Sequence, residues 1–347
     1  MMTLGKYRLI AQVITAGFVL SIFISLSVSM LQAEEPVIKV PAGLDPIPFP
    51  EDNPATKEKI ALGKQLFFDK RLSRDNTISC ASCHVPVKGY SNGARFATGF
   101  KGQKGGRSSP ALINASYNQF QFWDGRAASL EDQALGPIAN PIEMNLTIKE
   151  AIARINAIPG YKQQFQKIFG SEATPDTLAK TLATFERTIL SGDAPYDHFK
   201  AGDKKALSES AQRGMKLYFG KASCSACHVG PNFTDNAFHN LGVGMNAKQP
   251  DTGRKAISKL GGDHGSFKTP GLRDIARSAP YMHDGSLKTL KEVVEYYNKG
   301  GTSNEFLDEE IFPLKLTPQE IDDVVTFMKE GLASTKYPDH KAPELPK

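Results

Sequence analysis

The sequence contains one five-residue pattern twice, as Cys80-Ala81-Ser82-Cys83-His84 and as Cys224-Ser225-Ala226-Cys227-His228. Together the two copies use all four cysteines of the 347-residue chain. The pattern C-x-x-C-H is the attachment signature of a c-type haem. Its two thiols can add to the vinyl groups of one porphyrin, and the adjacent imidazole binds the iron on one face of the ring. The sequence therefore predicts two covalently bound haems, attached by Cys80, Cys83, Cys224 and Cys227, with His84 and His228 as iron ligands.

Two other interpretations of the cysteines are weaker. A four-cysteine zinc site usually places its C-x-x-C pairs about 15–20 residues apart, whereas 140 residues separate Cys83 from Cys224. A thioredoxin-like redox pair is typical of a strand-rich setting and does not explain a second copy with the same following histidine.

The N-terminus resembles an export signal. Lys6 and Arg8 precede an uncharged stretch over residues 9–31, and Ala33 is followed by two glutamates. We expect residues 1–33 to be a signal peptide cleaved after Ala33. The alternative is an uncleaved N-terminal membrane anchor, because the apolar stretch is nearly long enough to span a bilayer. Both interpretations put the folded part outside the cytoplasm, in the periplasm.

The composition indicates a folded globular protein, with 40% hydrophobic and 23% charged residues. The formal net charge is +5 and the basic residues are scattered. We therefore expect no nucleic acid among its partners.

The similarity between the two halves extends beyond the cysteine motifs. The matching segments are Gly63–Phe68 with Gly214–Phe219, Ser109–Leu112 with Thr269–Leu272, and Trp123–Gly125 with His283–Gly285. Such self-similarity indicates a duplicated module. We predict an all-α fold of two cytochrome c-like haem domains related by internal duplication, at residues 34–200 and 201–347.

Local signals support helices joined by long loops. Thr317-Pro318-Gln319-Glu320 is a capping box, and Thr174-Pro175 has the same helix-start pattern. The glycine-rich segments Gly99–Gly106 and Gly242–Gly265 predict loops around the cofactors.

From about Leu62 to Leu332 the chain resembles bacterial dihaem cytochrome c peroxidases. The most specific matches are Gln121–Ala128, Gln133, Gly136-Pro137, Glu143–Asn145 and Ala279–Ser286. The resemblance implies an oxidoreductase with a peroxidatic haem in the N-terminal domain and an electron-transfer haem in the C-terminal domain.

The resemblance also implies roles for four residues. Gln133, Pro137 and Glu143 would form the distal pocket of the haem held by His84, with Glu143 moving a proton between the peroxide oxygens. Trp123 would lie between the haems and carry an electron or hole. Without the resemblance, the simpler interpretation of Glu143 is a solvated surface carboxylate, and that of Trp123 is a core aromatic residue.

Two positions depart from the conventional family pattern. Phe100 stands where conventional members have a histidine ligand, so we expect the iron at His84 to be five-coordinate. Tyr297 stands where the family has a methionine ligand, fourteen positions after His283. A ligating tyrosine is the feature of the MauG-like branch, although a core tyrosine would show the same spacing. Met282 and Met245 are the competing donors.

A tyrosine oxygen favours the higher oxidation states of iron, whereas a thioether raises the potential. The resemblance further implies a calcium ion between the domains, at a position where Ser108 replaces an asparagine. A hydroxyl or carbonyl oxygen can serve in such a site. No role is assigned to His198, His239, His264 or His340, which we expect to be surface or structural histidines.

Three functions compete. The first is a peroxidase that reduces hydrogen peroxide with electrons from a small periplasmic donor protein. The second is a MauG-like oxidase that modifies residues of a partner protein by long-range electron transfer, favoured by Phe100 and Tyr297. The third is a plain electron carrier, which the missing second ligand near His84 disfavours. The family's peroxidases also suggest a homodimer by analogy.

Overall fold

The computed structural model describes residues 37–347, and the predicted signal at residues 1–33 lies outside them. Helices and loops dominate the described residues, which form one compact unit. The α-helices are α1 Lys57–Phe68, α2 Cys80–Cys83, α3 Leu130–Ala134, α4 Gly136–Ala139, α5 Ile148–Asn156, α6 Pro159–Phe169, α7 Pro175–Glu186, α8 Pro195–Lys200, α9 Glu209–Tyr218, α10 Lys255–Ser258, α11 Leu290–Asn298 and α12 Pro318–Thr326. Short 3₁₀ turns occupy Lys70–Leu72, Pro86–Lys88, Phe100–Gly102, Ala115–Tyr117, Cys224–Ala226, Gly261–Asp263 and Ile275–Arg277, and a π-helical turn, Phe327–Gly331, follows α12.

Strand structure in the described residues is limited to one pair of two-residue strands. The strands β1, Phe238–His239, and β2, Phe267–Lys268, are antiparallel. Phe238 lies opposite Lys268, and His239 lies opposite Phe267. The predicted all-α class with cytochrome c-like domains is therefore confirmed.

The predicted helix starts are confirmed at α7 and α12. The Thr174 hydroxyl accepts a hydrogen bond from the Thr177 amide at 3.2 Å. At α12 the Thr317 hydroxyl accepts from the Glu320 amide at 3.3 Å, and the Glu320 carboxylate accepts from the Thr317 amide at 2.8 Å. Each bond satisfies an amide that the first helical turn leaves without a partner.

The duplication is visible in helix packing. In the first half α1 packs on α7, and in the second half α9 packs on α12. A Cβ atom at Gly63 would lie 2.3 Å from the carbonyl oxygen of Thr181, and one at Gly214 would lie 1.9 Å from that of Asp323. The two glycines occupy matching positions in the repeat, and each lets its helix approach the facing backbone closely.

Two hydrophobic clusters correspond to the two halves. The first contains buried side chains from Leu62 to Ile189, and the second contains buried side chains from Tyr218 to Leu332. The chain after Leu332 returns to the first cluster, where the Tyr90 hydroxyl donates to the Pro338 carbonyl at 2.6 Å. The domain boundary near residue 200 stays a prediction.

The glycine-rich segments are mainly loops, as predicted. Gly99–Gly106 contains one short 3₁₀ turn, and Gly242–Gly265 contains α10 and another such turn. In the range 37–347, no helix has the length and apolar character that crossing a bilayer requires.

Candidate functional site

Both C-x-x-C-H motifs line one cavity of about 680 Å³ between the two halves. A volume of this size is within the usual range for cofactor and ligand pockets, about 300–1,000 Å³. All four cysteines, both motif histidines, Trp123 and Tyr297 contribute to its wall. The predicted cofactor-binding residues are thus brought together around a single space.

Each motif histidine is oriented by a backbone carbonyl. Nδ1 of His84 lies 2.9 Å from the backbone carbonyl oxygen of Tyr90, and Nδ1 of His228 lies 3.1 Å from that of Phe233. Burial lowers the pKa of both imidazoles, which keeps them neutral. A neutral ring whose Nδ1 donates to a carbonyl has Nε2 available for a metal.

The cysteines are suited to thioether attachment. None of the four forms a disulfide. Cys80 and Cys83 flank one turn of α2, and the second pair flanks the 3₁₀ turn that starts at Cys224. Burial raises the pKa of Cys83 to about 11 and that of Cys224 to about 12, which indicates apolar surroundings. The thiols, the neutral imidazoles and the apolar wall together fit a c-type haem at each motif.

The three predicted distal residues, Gln133, Pro137 and Glu143, line this same cavity. Glu143 is held at two points. Its Oε1 accepts from Nδ2 of Asn140 at 2.7 Å, and its carbonyl oxygen accepts from the Phe100 amide at 2.8 Å. Burial raises the pKa of the Glu143 carboxyl above its ordinary value. The side chain is therefore a fixed, partly desolvated carboxyl group, which differs from a solvated surface glutamate.

Phe100 supports the distal loop through its backbone. The residue is 8% exposed, and its amide contacts the carbonyls of both Ile142 and Glu143. A Cβ atom at the preceding Gly99 would lie 2.0 Å from the Ile142 oxygen. The loop around Phe100 thus packs against the segment that carries Glu143.

Trp123 connects the two halves. Its indole Nε1 donates to the carbonyl of Ser108 at 2.8 Å, and its own carbonyl accepts from the Lys268 amide at 2.8 Å. The Ser108 amide in turn donates to the His283 carbonyl at 2.7 Å. In the cavity wall the ring is therefore held by Ser108 of the first module, and the backbone of Trp123 is held by Lys268 of the second.

Tyr297 projects from the last turn of α11 into the cavity wall beside the second motif. Burial, followed by the nearby Cys224 and Cys227, raises the pKa of its hydroxyl. Met282 also lines the cavity, whereas Met245 is not among the lining residues and has its sulfur beside Gly265. The structure therefore brings two of the three candidate donors to this site.

Sequence reasoning missed His239, which also lines the cavity. Its Nδ1 lies 2.6 Å from an Asp308 carboxylate oxygen and its Nε2 lies 2.9 Å from one of Asp235. Contacts with Cys227, Asp308 and Asp235 raise the pKa of His239 to about 10. Ligand atoms of Cys227, Asp235 and His239 lie within 4.8 Å of one another. Because Cys227 belongs to the second C-x-x-C-H motif, this cluster is part of the environment of that haem site.

The other three histidines do not line the cavity. Nε2 of His198 lies 2.9 Å from a carboxylate oxygen of Asp193, and the rings of His264 and His340 pack against aromatic side chains.

Two more buried groups in the cavity wall carry no sequence signature. Glu186 at the end of α7 is 5% exposed, and Lys268 in β2 is 7% exposed. Burial raises the pKa of Glu186 to about 8 and lowers that of Lys268 to about 8. Each group therefore changes its charge at a pH close to neutral.

The fold and the two attachment sites define a two-haem c-type cytochrome. A family model described as di-haem cytochrome c peroxidase matches residues 57–205, and one described as cytochrome c matches residues 211–331. The chain belongs to the di-haem cytochrome c peroxidase family, whose members are oxidoreductases that act on peroxide.

Similar proteins support this assignment over most of the chain. The chain is 42% identical to the methylamine utilization protein MauG of Methylorubrum extorquens, over 82% of this chain and 80% of that protein. It is 36% identical to the cytochrome c551 peroxidase of Nitrosomonas europaea, over 93% and 95% of the two chains. The crystal structure of a MauG-like protein associated with microbial copper homeostasis matches with a TM-score of 0.80 and 33% identity, over 88% of this chain and 98% of that one.

Proposed function

We propose that this enzyme reduces hydrogen peroxide at the haem of His84, using electrons that pass through the haem of His228. The two haem domains would comprise residues 34–200 and 201–347. The observation that carries the proposal is the fixed, partly buried carboxyl group of Glu143 in the cavity that His84 also lines. An electron carrier has no need of a proton-transfer group there.

The protein's contribution to the reaction is proton transfer and positioning. Reduction of one hydrogen peroxide to two waters consumes two electrons and two protons. The bound haem supplies the redox chemistry. Glu143 takes a proton from one peroxide oxygen and returns it to the other, which departs as water. The Gln133 amide can hydrogen-bond to the peroxide, and Pro137 adds an apolar wall with no N–H donor.

The test is Glu143→Gln, with Glu305→Gln as the matched control at an exposed glutamate. Glutamine keeps the shape and can still accept from Asn140, but it does not exchange a proton. We expect kcat/KM for hydrogen peroxide to fall by about 10²–10⁴-fold in Glu143→Gln, with the control unchanged. Wild-type activity should rise with pH through the elevated pKa of Glu143, and the variant should lack this limb. Equal activity of the two variants would refute the role of Glu143.

A MauG-like oxidase is the second candidate, and the cavity position of Tyr297 favours it. An oxygen ligand at the second haem stabilises oxidised iron and disfavours electron collection from a cytochrome. This function predicts oxidation of residues in a partner protein without that partner entering the cavity.

Low-temperature EPR of the oxidised protein and of Tyr297→Met tests the ligand assignments. We expect a high-spin ferric signal from the haem of His84 and a low-spin signal that changes in the variant. Two low-spin signals that the substitution leaves unaltered would contradict both assignments.

We also propose that the protein works in the periplasm, because c-type haem attachment follows export and residues 1–33 resemble a signal peptide. Its partner would be a small electron-donor protein or a protein substrate. Cell fractionation tests the location, and N-terminal sequencing of the mature protein distinguishes cleavage from an anchor. Light scattering of the purified protein tests the homodimer.

Calcium is proposed at Ser108 on the resemblance alone. Ser108 is buried, its carbonyl accepts from Trp123 and its amide donates to His283. Its hydroxyl is the group that could replace an asparagine oxygen. Metal analysis of wild type and Ser108→Ala tests this, and equal calcium content would exclude the hydroxyl as a ligand.

A further inference from the structure

Lys268 is a buried cation without a strong hydrogen-bond acceptor. Its side chain is 7% exposed and forms part of the cavity wall. The ammonium nitrogen lies 3.4 Å from the carbonyl oxygen of Thr269, a distance too long for a strong bond. A lysine ammonium has three donors, so its burial here is costly unless an anion accepts from them.

The protein supplies one nearby carboxylate, Asp235. Burial lowers the pKa of the Lys268 amine, and the charge of Asp235 raises it by a smaller amount. Asp235 is already engaged by Nε2 of His239 at 2.9 Å and by the Ala237 amide at 2.9 Å. The cavity wall therefore presents an ammonium group whose acceptor has to come from the molecule in the cavity.

Backbone hydrogen bonds hold Lys268 against both modules. The Lys268 amide donates to the carbonyl of Trp123 at 2.8 Å. The next residue, Thr269, bonds to the segment that follows the second motif: its amide donates to the Ala237 carbonyl at 2.9 Å, and its own carbonyl accepts from the Thr234 hydroxyl at 2.7 Å. β2 thus fixes Lys268 between the tryptophan of the first module and the segment that follows the second haem motif.

We infer that the ammonium group of Lys268 binds a propionate carboxylate of the haem held by His228. A haem carries two propionates, and a buried carboxylate and a buried ammonium group compensate each other's desolvation. The resulting positive charge near the second haem stabilises its ferrous form. Lys268 is in this respect a positioning residue that also tunes the reduction potential. The inference rests on the two haems and does not depend on the peroxidase proposal.

The experiment is a potentiometric titration of the holoprotein, followed by optical and EPR spectra of poised samples. Lys268→Met is compared with Lys205→Met, which removes the same charge from an exposed side chain. At fixed applied potential, we expect the ferrous-to-ferric ratio of the His228 haem to fall at least tenfold in Lys268→Met. For a one-electron couple this corresponds to about 59 mV. The control should stay within twofold of wild type.

Resonance Raman spectra distinguish a direct bond from a distant charge. We expect the propionate-bending band to move to lower frequency in Lys268→Met, because the carboxylate loses a donor, and to stay near the wild-type position in Lys268→Arg. If Lys268→Met does not accumulate, Lys268→Gln is compared with Lys268→Arg in the same way.

Three outcomes would overturn the inference: an unchanged potential in Lys268→Met, an unchanged propionate band, or a shift confined to the His84 haem. None of these outcomes would affect the test of Glu143, since peroxide turnover is measured separately.

Discussion

Glu186, the last residue of α7, is a buried carboxyl group whose ionisation should cost stability. It is 5% exposed, and its Oε2 has no hydrogen-bond partner. Burial raises its pKa from 4.5 to about 8, against a smaller opposing effect of the neighbouring Arg187. At pH 7 the folded protein therefore holds a proton that the unfolded chain releases.

The size of this effect follows from the two pKa values. A raised carboxyl pKa contributes no penalty below about pH 4.5, and the folded state loses stability as pH rises from there through about 8. With 1.36 kcal/mol per pKa unit, the penalty is about 1 kcal/mol at pH 5 and about 3 kcal/mol at pH 7. Glu186→Gln does not ionise and escapes this penalty.

The assay is urea unfolding of the holoprotein at pH 5 and pH 7, with Glu305→Gln as control. The free energy of unfolding of Glu186→Gln minus that of the wild type should be about 2.5 kcal/mol larger at pH 7 than at pH 5. Any cost of an unpaired glutamine amide is the same at both pH values and cancels in this difference. A difference that stays constant with pH would refute the assignment of a neutral, protonated Glu186.

Three further predictions concern packing, charge and coordination. Gly214→Ala should reduce the free energy of unfolding by about 1–3 kcal/mol, because the added methyl group meets the backbone of α12. Gly262→Ala, where a Cβ meets nothing within 4 Å, is the control in the same urea assay. In the wild type, Arg273 forms a buried ion pair with Asp197 at an N–O distance of 2.7 Å. Arg273→Met leaves this carboxylate without its cation, so the free energy of unfolding measured in urea should fall by about 3–5 kcal/mol. Phe100→His should convert the high-spin ferric EPR signal that we expect from the His84 haem to a low-spin one, and should lower the peroxidase activity of the oxidised protein. A persisting high-spin signal would show that the introduced imidazole does not reach the iron.

Local signals allowed the helices and attachment sites to be predicted. The capping box at Thr317 and the two C-x-x-C-H motifs depend on residues a few positions apart, so the sequence displays them directly. Lys268 and Glu186 were missed because their importance comes from burial, which depends on distant segments. The match between Trp123 and His283 in the repeat was visible. The hydrogen bonds that join these two segments through Ser108 were not.

A shared backbone in the two halves explains how one module can serve the two roles of the proposed mechanism. Phe122 and Met282 hold matching positions in the repeat, and both have left-handed backbones, with φ of 66° and 73°. This conformation costs a non-glycine residue about 1–2 kcal/mol. Both side chains line the cofactor cavity, so the strain is retained where it directs a side chain toward the cofactor. The following residue then distinguishes the halves: Trp123 offers an indole, whereas His283 is stacked on Phe267 with ring centroids 3.5 Å apart. The repeated backbone thus determines where a side chain meets the cofactor, and the identity of that side chain differentiates the peroxidatic half from the electron-transfer half in the proposed mechanism.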